Sequence, residues 1–372
     1  MLHTHNQETL LLLSLRLIPG LGDKQIRLLL HRFGTVQAIF QKSLKELQNI
    51  PGLKKDLPSQ ILSPSYQDQA HGCLAWAKNQ GIQIITVLDD HYPERLKQIP
   101  DAPVVLFYHG NTDLNHSKII GIVGTRKATP YGREVVKEII EELKPHNPII
   151  VSGLAYGIDI EAHRAALKAG LSTVGVMATG IDNIYPEAHK STARIMRECG
   201  GLLTENLPGV TSDSRRFPAR NRIIAGISDT VIVVEAAAKG GALITAELAH
   251  SYSREVFAVP GGLNQPYSQG CNDLIRSLKA SIYTGARDLE YILNWERHNP
   301  NYRKQPSYKE ADFAPEEWDL IKLLASQQNE MQIDEISWRI KKSINQVSSL
   351  LLNLEFKGTV SSRPGKKFVL NR

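Results

Sequence analysis

Hydrophobic and polar positions follow three different patterns along the chain. Up to about residue 85, apolar positions recur at helical spacing, and two phrases, Ile18-Pro19-Gly20-Leu21 and Ile50-Pro51-Gly52-Leu53, separate the helical stretches. From about Ile84 to Asn294, short apolar runs alternate with longer helical patterns. A polar segment follows, and the pattern beyond it predicts three helices and a hairpin.

The central region predicts an α/β fold. Its apolar runs are rich in β-branched residues and lack polar alternation, which is typical of strands buried on both faces. The predicted strands are Val104–Phe107, Ile119–Val123, Ile149–Val151, Thr173–Val176, Leu202–Thr204, Thr230–Val234 and Val256–Val259. The predicted helices between them are Gly132–Leu143, Asp159–Ala169, Glu187–Cys199 and Ala242–Tyr252. This alternation predicts a Rossmann-like, doubly wound and mostly parallel sheet.

The first pattern predicts a separate helical domain. Residues 1–85 fit a helix-hairpin-helix or SAM-like domain, in which the Pro-Gly turns would serve either phosphate contact or packing. Residues 86–295 then hold the Rossmann-like sheet. Residues 296–312 are polar and contain two prolines, so we expect a linker there.

The last pattern predicts a winged helix in residues 313–372. The predicted helices are Pro315–Ala325, Ile333–Ile340 and a third that Ser343 caps and that runs to Phe356. A hairpin across Pro364-Gly365 completes the unit. Three helices and a hairpin in so short a segment are typical of a winged helix-turn-helix.

Composition narrows the class of protein. Of 372 residues, 42% are hydrophobic and 22% are charged, which excludes wholesale disorder and a coiled-coil rod. The net charge of +6 permits a nucleic-acid partner without requiring one. Cys73, Cys199 and Cys271 lie far apart, which argues against a zinc site and for reduced thiols. The N-terminal leucine run lacks a basic leader and contains Arg16, so we predict an amphipathic helix, no membrane span and a cytoplasmic location.

Candidate chemistry lies in the loops after the strands, because ligands of doubly wound sheets bind beside the strands' carboxyl ends. Gly124-Thr125-Arg126 offers close backbone approach, a hydroxyl and a guanidinium. Ser152-Gly153 follows the next strand, and Lys239-Gly240-Gly241 leads into a helix whose N-terminus favours an anion. Thr179-Gly180 and Pro260-Gly261 are further glycine turns. Together these strand ends predict a groove for a polyphosphate or a nucleic acid.

The densest cluster of candidate residues is Arg215–Arg222, which contains four arginines. Guanidinium groups bind phosphates, and the ring of Phe217 can stack on a base. Because the cluster precedes a buried strand, we expect a loop that faces the ligand. Arg220, Asn221 and Arg222 are its central candidates.

Two other polar residues fit structural roles better than catalytic ones. Asp159 is placed to cap the helix that follows it. His163 lies on the same helix, and we interpret it as a surface histidine without a catalytic partner. The chain shows no nucleophile elbow and no acidic cluster for two-metal chemistry.

The order of these phrases resembles one known family, the bacterial DNA-processing protein A family (DprA, also called Smf). The resemblance is close over about residues 90–295 and looser at both ends. The phrases that carry it are Gly124–Arg126, Ser152–Asp159, Thr179–Asp182 with Tyr185-Pro186, Phe217–Gly226, Val233–Ala236, Leu243–Ala246 and Val256–Gly261.

The resemblance implies a non-enzymatic protein of natural transformation and recombination. Such a protein binds single-stranded DNA without sequence preference, protects it, dimerises through the Rossmann-like domain and helps to load the RecA recombinase, without a nucleotide cofactor. The resemblance implies DNA-binding roles for Gly124, Thr125, Arg126, Gly153, Phe217, Arg220, Asn221 and Arg222. The strand-end loops described above add Ser152, Lys239, Gly240 and Gly241 to the expected DNA-binding residues.

Two alternatives remain open on the sequence. The first is a nucleotide-cleaving phosphoribohydrolase, in which Glu235 or Glu247 would stabilise an oxocarbenium-like centre and Arg126 would hold the phosphate. The second is a winged-helix regulator that reads duplex DNA. Its recognition helix would direct Asn345, Gln346 and Ser349 to base edges, with Lys341 and Lys342 as the nearby charge.

Overall fold

A computed structural model describes residues 2–295, 312–325, 330–363 and 365–370. The described residues before position 297 form one compact unit, and those from 312 onward form a second. The predicted linker, except for Asp312, and Pro364 of the predicted hairpin lie outside the described residues. In the described part of the chain, no helix is both long enough and apolar enough to cross a bilayer.

The first unit begins with the predicted helical region. Its helices are α1 (Leu2–Leu17), α2 (Asp23–Phe33), α3 (Val36–Phe40), α4 (Leu44–Gln48), α5 (Leu57–Ile61) and α6 (Pro64–Asn79). Both Pro-Gly phrases form turns, as predicted. The side-chain amide of Gln25 donates to the carbonyl of Gly52 (3.1 Å) and so links the start of α2 to the second turn. Leu12 and Leu13 of α1 share a buried core with Phe107 of the sheet.

Within the described residues, the first unit contains a nine-stranded sheet with the order β1-β2-β6-β5-β4-β3-β7-β8-β9. The strands are β1 (Gln83–Thr86), β2 (Val105–Gly110), β3 (Ile119–Gly124), β4 (Ile149–Gly153), β5 (Thr173–Val176), β6 (Gly200–Thr204), β7 (Thr230–Val234), β8 (Glu255–Ala258) and β9 (Ser281–Ile282). The pairs β1–β2 and β2–β6 are antiparallel, and the other pairs are parallel. The predicted doubly wound, mostly parallel sheet is therefore confirmed.

Helices cover both faces of this sheet. They are α7 (Glu94–Lys97), α8 (Pro130–Leu143), α9 (Ile158–Ala169), α10 (Lys190–Glu198), α11 (Arg216–Ile227), α12 (Gly241–Ser251), α13 (Gln269–Arg276) and α14 (Ala286–Ile292), with short 3₁₀ turns at Lys144–His146 and Glu187–His189. Apolar residues of α8 and α9 pack on one face, and those of α11 and α12 pack on the other. This arrangement leaves the strands' carboxyl ends open for a site.

Three sequence-based expectations for this unit are wrong. The segment predicted as an arginine-rich loop is mostly helix, α11, because arginine is a good helix former and Ile223, Ile224 and Ile227 are buried against the sheet. Asp159 does not cap α9, since the N-cap position is held by Gly157. His163 is fully buried rather than on the surface.

The second unit has the predicted winged-helix architecture. Its helices are α15 (Pro315–Ala325), α16 (Ile333–Ile340) and α17 (Ile344–Phe356), and its strands are β10 (Met331–Gln332), β11 (Val360–Arg363) and β12 (Lys367–Leu370). The sheet order is β10-β12-β11, and its pairs are antiparallel. Ser343 caps α17 as predicted, in a reciprocal capping box with Gln346. The short strand β10 was not predicted.

Candidate nucleic-acid interface

A groove of about 700 Å³ opens at the carboxyl ends of β3, β4 and β7. From β3 the chain moves through β4, β5 and β6 in one direction, and β7 then returns to the other side of β3. Such a change of direction separates the loops at a sheet edge and creates a binding crevice. The predicted residues that line the groove are Gly124, Thr125, Arg126, Phe217, Arg220, Asn221, Lys239, Gly240 and Gly241.

Arg126 and Phe217 form the exposed wall of the groove. The guanidinium carbon of Arg126 lies 5.0 Å from the ring centroid of Phe217, in a cation–π arrangement. The ring of Tyr185 lies 6.0 Å from that of Phe217 and also lines the groove. Among the described residues, Arg126 has no carboxylate partner, so its charge is available to a ligand. Two aromatic rings next to a free guanidinium are a surface on which bases and phosphates can both bind.

The floor of the groove is a buried polar cluster around Arg220. Its guanidinium donates to the carbonyl of Val176 and to Asn221 Oδ1 (3.2 Å), and it lies 4.0 Å from the Asp159 carboxylate. Burial raises the pKa of Asp159, and the charge of Arg220 counteracts this effect. Gly153 lies directly beneath, and a Cβ there would overlap the Arg220 guanidinium and the Asp159 carboxylate.

The opposite wall is the turn at Lys239 and the first residues of α12. The side-chain amide of Asn221 donates to the carbonyl of Gly241 (3.2 Å) and so fixes the start of the helix. No side chain of the described residues caps the N-terminus of α12 at Gly240. The first N–H groups of α12 lack helical partners and favour an anion. Lys239 is exposed, and no described carboxylate pairs with it.

The loop after β3 is held from below by Glu235, a buried residue at the end of β7. The N–H of Thr125 donates to the Glu235 carbonyl (2.8 Å), so this N–H is not available to a phosphate. The Glu235 carboxylate accepts from the N–H of Thr129 (2.9 Å) and from its hydroxyl. Gly157 adopts φ +80°, a left-handed conformation, where the chain passes close to the carbonyl of Thr125. The loop is therefore rigidly positioned, with Arg126 at its exposed tip.

Three predicted site residues do not line the groove. Ser152 is fully buried, and its hydroxyl donates to the Ile122 carbonyl (2.5 Å). Gly153 lies under the floor, as described. Arg222 points to the other side of α11, where it pairs with Glu205 and, at 3.7 Å, with Asp23 of the helical region. Burial raises the pKa of Glu205, which Arg222 counteracts.

The other arginines of the 215–222 cluster are also engaged. Arg215 pairs with Asp213 at 2.8 Å, and this contact lowers the pKa of Asp213 to about 2. Arg216 donates to Asn206 Oδ1 (3.1 Å). Helical geometry sends consecutive side chains in different directions, so the cluster does not present four charges to one ligand. The available charges are instead those of Arg126 and Lys239.

Sequence reasoning gave no binding role to two groove residues. Asp159 was assigned to capping, and Tyr185 appeared only in a phrase that carries the family resemblance; both line the groove. Tyr185 lies in the segment between β5 and α10, in which no sequence pattern marked it as a groove residue. Among the described residues, no group of three or more His, Cys, Asp or Glu side chains could hold a metal ion.

Comparison with known proteins gives matches over all three regions. Residues 83–294 match the family model of DNA recombination-mediator protein A, residues 305–366 match the DprA winged helix domain, and residues 10–63 match a SAM-like helix-hairpin-helix tandem. The DNA processing protein DprA of Bacillus subtilis is 44% identical over 217 residues, which are 58% of this chain and 73% of that protein.

Two solved structures are also similar. The X-ray structure of DprA from Streptococcus pneumoniae has a TM-score of 0.66 and 36% identity, and the match covers 78% of this chain and 97% of that one. A DprA structure from Helicobacter pylori, described for its single-stranded DNA binding mode, has a TM-score of 0.52 and 29% identity over 58% of this chain and 98% of that one. The family match spans more than half of the chain, and the chain therefore belongs to the DNA recombination-mediator protein A family.

Proposed function

We propose that this protein binds single-stranded DNA in the groove, without preference for base sequence. The observation that carries the proposal is the exposed guanidinium of Arg126, without a carboxylate partner in the described chain, 5.0 Å from the Phe217 ring. The DNA-binding mode named for the Helicobacter pylori relative supports the proposal. The groove offers charge and flat aromatic surface, which every nucleotide can use.

The binding mechanism follows from the groove's walls. Arg126, Lys239 and the free N–H groups of α12 neutralise and orient phosphates, while Phe217 and Tyr185 stack on unpaired bases. A duplex keeps its bases stacked on each other and cannot use the aromatic wall. The protein therefore prefers single strands, and its affinity falls as salt rises.

The proposal extends to natural transformation and recombination in the cytoplasm. There the protein protects single-stranded DNA and helps RecA to replace it on the strand; the family membership supports this role. The test is RecA filament growth on a strand that is already coated by a single-strand-binding protein. We expect this protein to accelerate growth and its Arg126→Ala variant to do so less. No acceleration by the wild type would contradict the loading role.

We also propose a homodimer formed through the Rossmann-like sheet. The edge strand β9 and its surroundings expose the large apolar side chains Leu278, Ile282, Tyr291 and Ile292. Leu278 and Tyr291 are 88% and 87% exposed. These four side chains line one recess at this edge of the sheet. Exposed apolar side chains grouped in this way favour a protein interface.

The position of two glutamates favours binding over nucleotide cleavage. Glu235 is engaged with Thr129 beneath the loop, and Glu247 pairs with Lys279 at 3.3 Å; neither lines the groove. The carboxylates that the hydrolase alternative requires are therefore directed elsewhere. Release of a free base from nucleoside monophosphates would revive that alternative.

The winged helix offers little support for duplex reading. Gln346 is used in the capping box of α17, and Lys342 pairs with Glu316 at 2.6 Å. The exposed side of α17 carries Leu352 and Phe356, which are apolar. We therefore favour a contact or auxiliary role for this unit.

The experiment that tests DNA binding titrates a labelled oligothymidylate with the full chain at several salt concentrations, with a matched duplex as competitor. We expect the protein to bind the oligothymidylate, and we expect the duplex to be a poor competitor. Arg126→Ala should weaken binding to every sequence and reduce the slope of log K against log salt by roughly 0.7, because one phosphate contact is lost.

Arg276→Ala is the matched control, since Arg276 is an exposed arginine that pairs with Asp273 outside the groove. It should leave affinity and salt slope unchanged. Absence of single-strand binding by the wild type, or equal effects of the two substitutions, would contradict the proposed function.

A further inference from the structure

Beside the groove, on the other side of Arg126, lies a second concavity that the function above does not use. This recess has a volume of about 320 Å³ and lies between the loop after β3 and the start of α9. Arg126 lines both the recess and the groove. The polar and aromatic side chains that line the recess include Arg126, Lys127, Arg133, Tyr156, Glu161 and Arg164.

The recess is positively charged, with four cations against one carboxylate. The carboxylate, Glu161, is paired with Arg164 at 3.3 Å. Arg133 donates to the carbonyl of Ala128 (2.8 Å), a contact that leaves its charge uncompensated. Within the described residues, Lys127 has no ion pair, like Arg126. The net positive charge therefore attracts an anion. Because the cations are separated from one another, they suit a chain of phosphates better than a single phosphate group.

One wall of the recess is an aromatic ring held in place from behind. The Tyr156 side chain is 53% exposed. Its ring meets His189 edge-on, with centroids 4.9 Å apart and an interplanar angle of 69°. His189 is itself fixed, because its Nδ1 donates to the carbonyl of Leu154 (2.8 Å). Because the ring is half-exposed and already held in position, a base can stack on it with little further loss of side-chain entropy.

From these features we infer that the recess is a second nucleotide subsite. A single strand that leaves the groove passes Arg126 and stacks a base on Tyr156, while Lys127 and Arg133 hold the adjoining phosphates. This inference rests on the proposed function, because the strand must first occupy the groove. The subsite adds affinity only for strands long enough to reach past Arg126.

The test measures affinity against strand length, with oligothymidylates from about 4 to about 16 nucleotides, the range of common single-strand sites. We expect Tyr156→Ala to bind the shortest strands like the wild type and the longest ones between about 5-fold and about 150-fold more weakly. Tyr156→Phe should retain wild-type affinity, because stacking needs the ring and not the hydroxyl. Arg133→Ala should reduce the salt slope by roughly 0.7 for long strands only.

Tyr131→Ala is the matched control, since Tyr131 is 51% exposed but lines neither the groove nor the recess. Photocrosslinking of a long strand that carries iododeoxyuridine to the unmodified full chain gives an independent readout. It should label Tyr156, and this result does not depend on whether the variants fold.

The outcomes separate the two proposals. If the wild type binds no single strand of any length, the proposed function fails. If it binds but Tyr156→Ala changes nothing, or weakens short and long strands equally, the subsite is wrong while the groove stands. Absence of a crosslink at Tyr156 would also overturn the subsite, and the recess would then suit an acidic protein segment instead.

Discussion

His163 is enclosed at the end of β4, where its Nε2 donates to the Gly153 carbonyl (2.8 Å) and its Nδ1 lies 2.7 Å from Thr173 Oγ. Burial lowers the pKa of the imidazole from 6.5 to about 4. Between these values, the unfolded chain binds a proton that the folded chain does not bind. Stability is therefore lost as the pH falls below about 6.5.

We predict that the free energy of unfolding falls by up to roughly 1.4 kcal/mol per pH unit from this residue alone. Urea denaturation at pH 7 and at pH 5 measures the effect. The His163→Gln variant should be less stable at both pH values but should lose less than the wild type between them. Equal losses in the two proteins would contradict the prediction.

Gly153 provides the space for the floor of the groove. We predict that Gly153→Ala displaces the Arg220 guanidinium from Asp159, costs about 1–3 kcal/mol of stability and weakens single-strand binding several-fold. Thermal denaturation and DNA titration measure the two effects. The control is Gly72→Ala in the exposed part of α6, where a Cβ meets no atom within 4 Å and stabilisation of about 0.4–1 kcal/mol is expected. Unchanged binding would show that the floor does not position the groove.

At the scale of an element, α11 presents its side chains to two different surroundings, the groove and the buried contact with the helical region. Arg220 and Asn221 face the groove, while Arg222 pairs with Glu205 beneath the helical region. The rotation of α11 about its axis decides which arginine side chain points toward the groove, and the order of residues alone does not reveal that rotation. This is why the arginine-rich motif predicted the location of the site and failed to identify its available charges.

We predict that Arg222→Ala costs about 3 kcal/mol of stability, because it leaves Glu205 buried without its partner. The folded variant should bind single strands like the wild type. Denaturation and DNA titration of the same sample check this. The Arg222→Ala/Glu205→Ala double variant should recover part of the stability. Lost affinity with unchanged stability would instead support the phosphate contact predicted from the sequence.

The long, strongly periodic elements were predictable, and the short ones were not. Helix α15 and the strand Thr230–Val234 have the predicted bounds, because continuous periodicity and apolar runs determine them. Strands β1 and β9 were missed, since four and two residues at sheet edges carry little pattern. The glycine turns located the groove, but its aromatic wall depends on the approach of Tyr185 to Phe217, and these two residues lie far apart in the sequence.

On the scale of the whole molecule, the sheet of the first unit ends at β9, which pairs with β8 alone among the described strands. The apolar side chains around β9 therefore border an edge that can accept another molecule. A second copy would cover these side chains and bring two grooves into one assembly. The sequence could not show this apolar surface, because its residues are separated along the chain and only the fold exposes them side by side.

We predict that Leu278→Glu weakens self-association at least about tenfold, because it places a charge at the centre of an apolar contact. Sedimentation equilibrium measures the change. Leu263→Glu is the matched control, since Leu263 is 91% exposed and is not part of the β9 surroundings. A monomeric wild type, or equal effects of both substitutions, would contradict the homodimer.

The glycines at the groove have a consequence for recognising distant relatives. Gly153 makes room for a buried ion pair, and Gly157 lets the chain turn past Thr125. Both are therefore requirements of the sheet edge rather than of a ligand. A motif search built on them would collect proteins that share this architecture but bind different molecules. Positions 126, 185 and 217 lie on the solvent side of the groove. The residues at these positions would distinguish the proteins in that collection that bind different ligands.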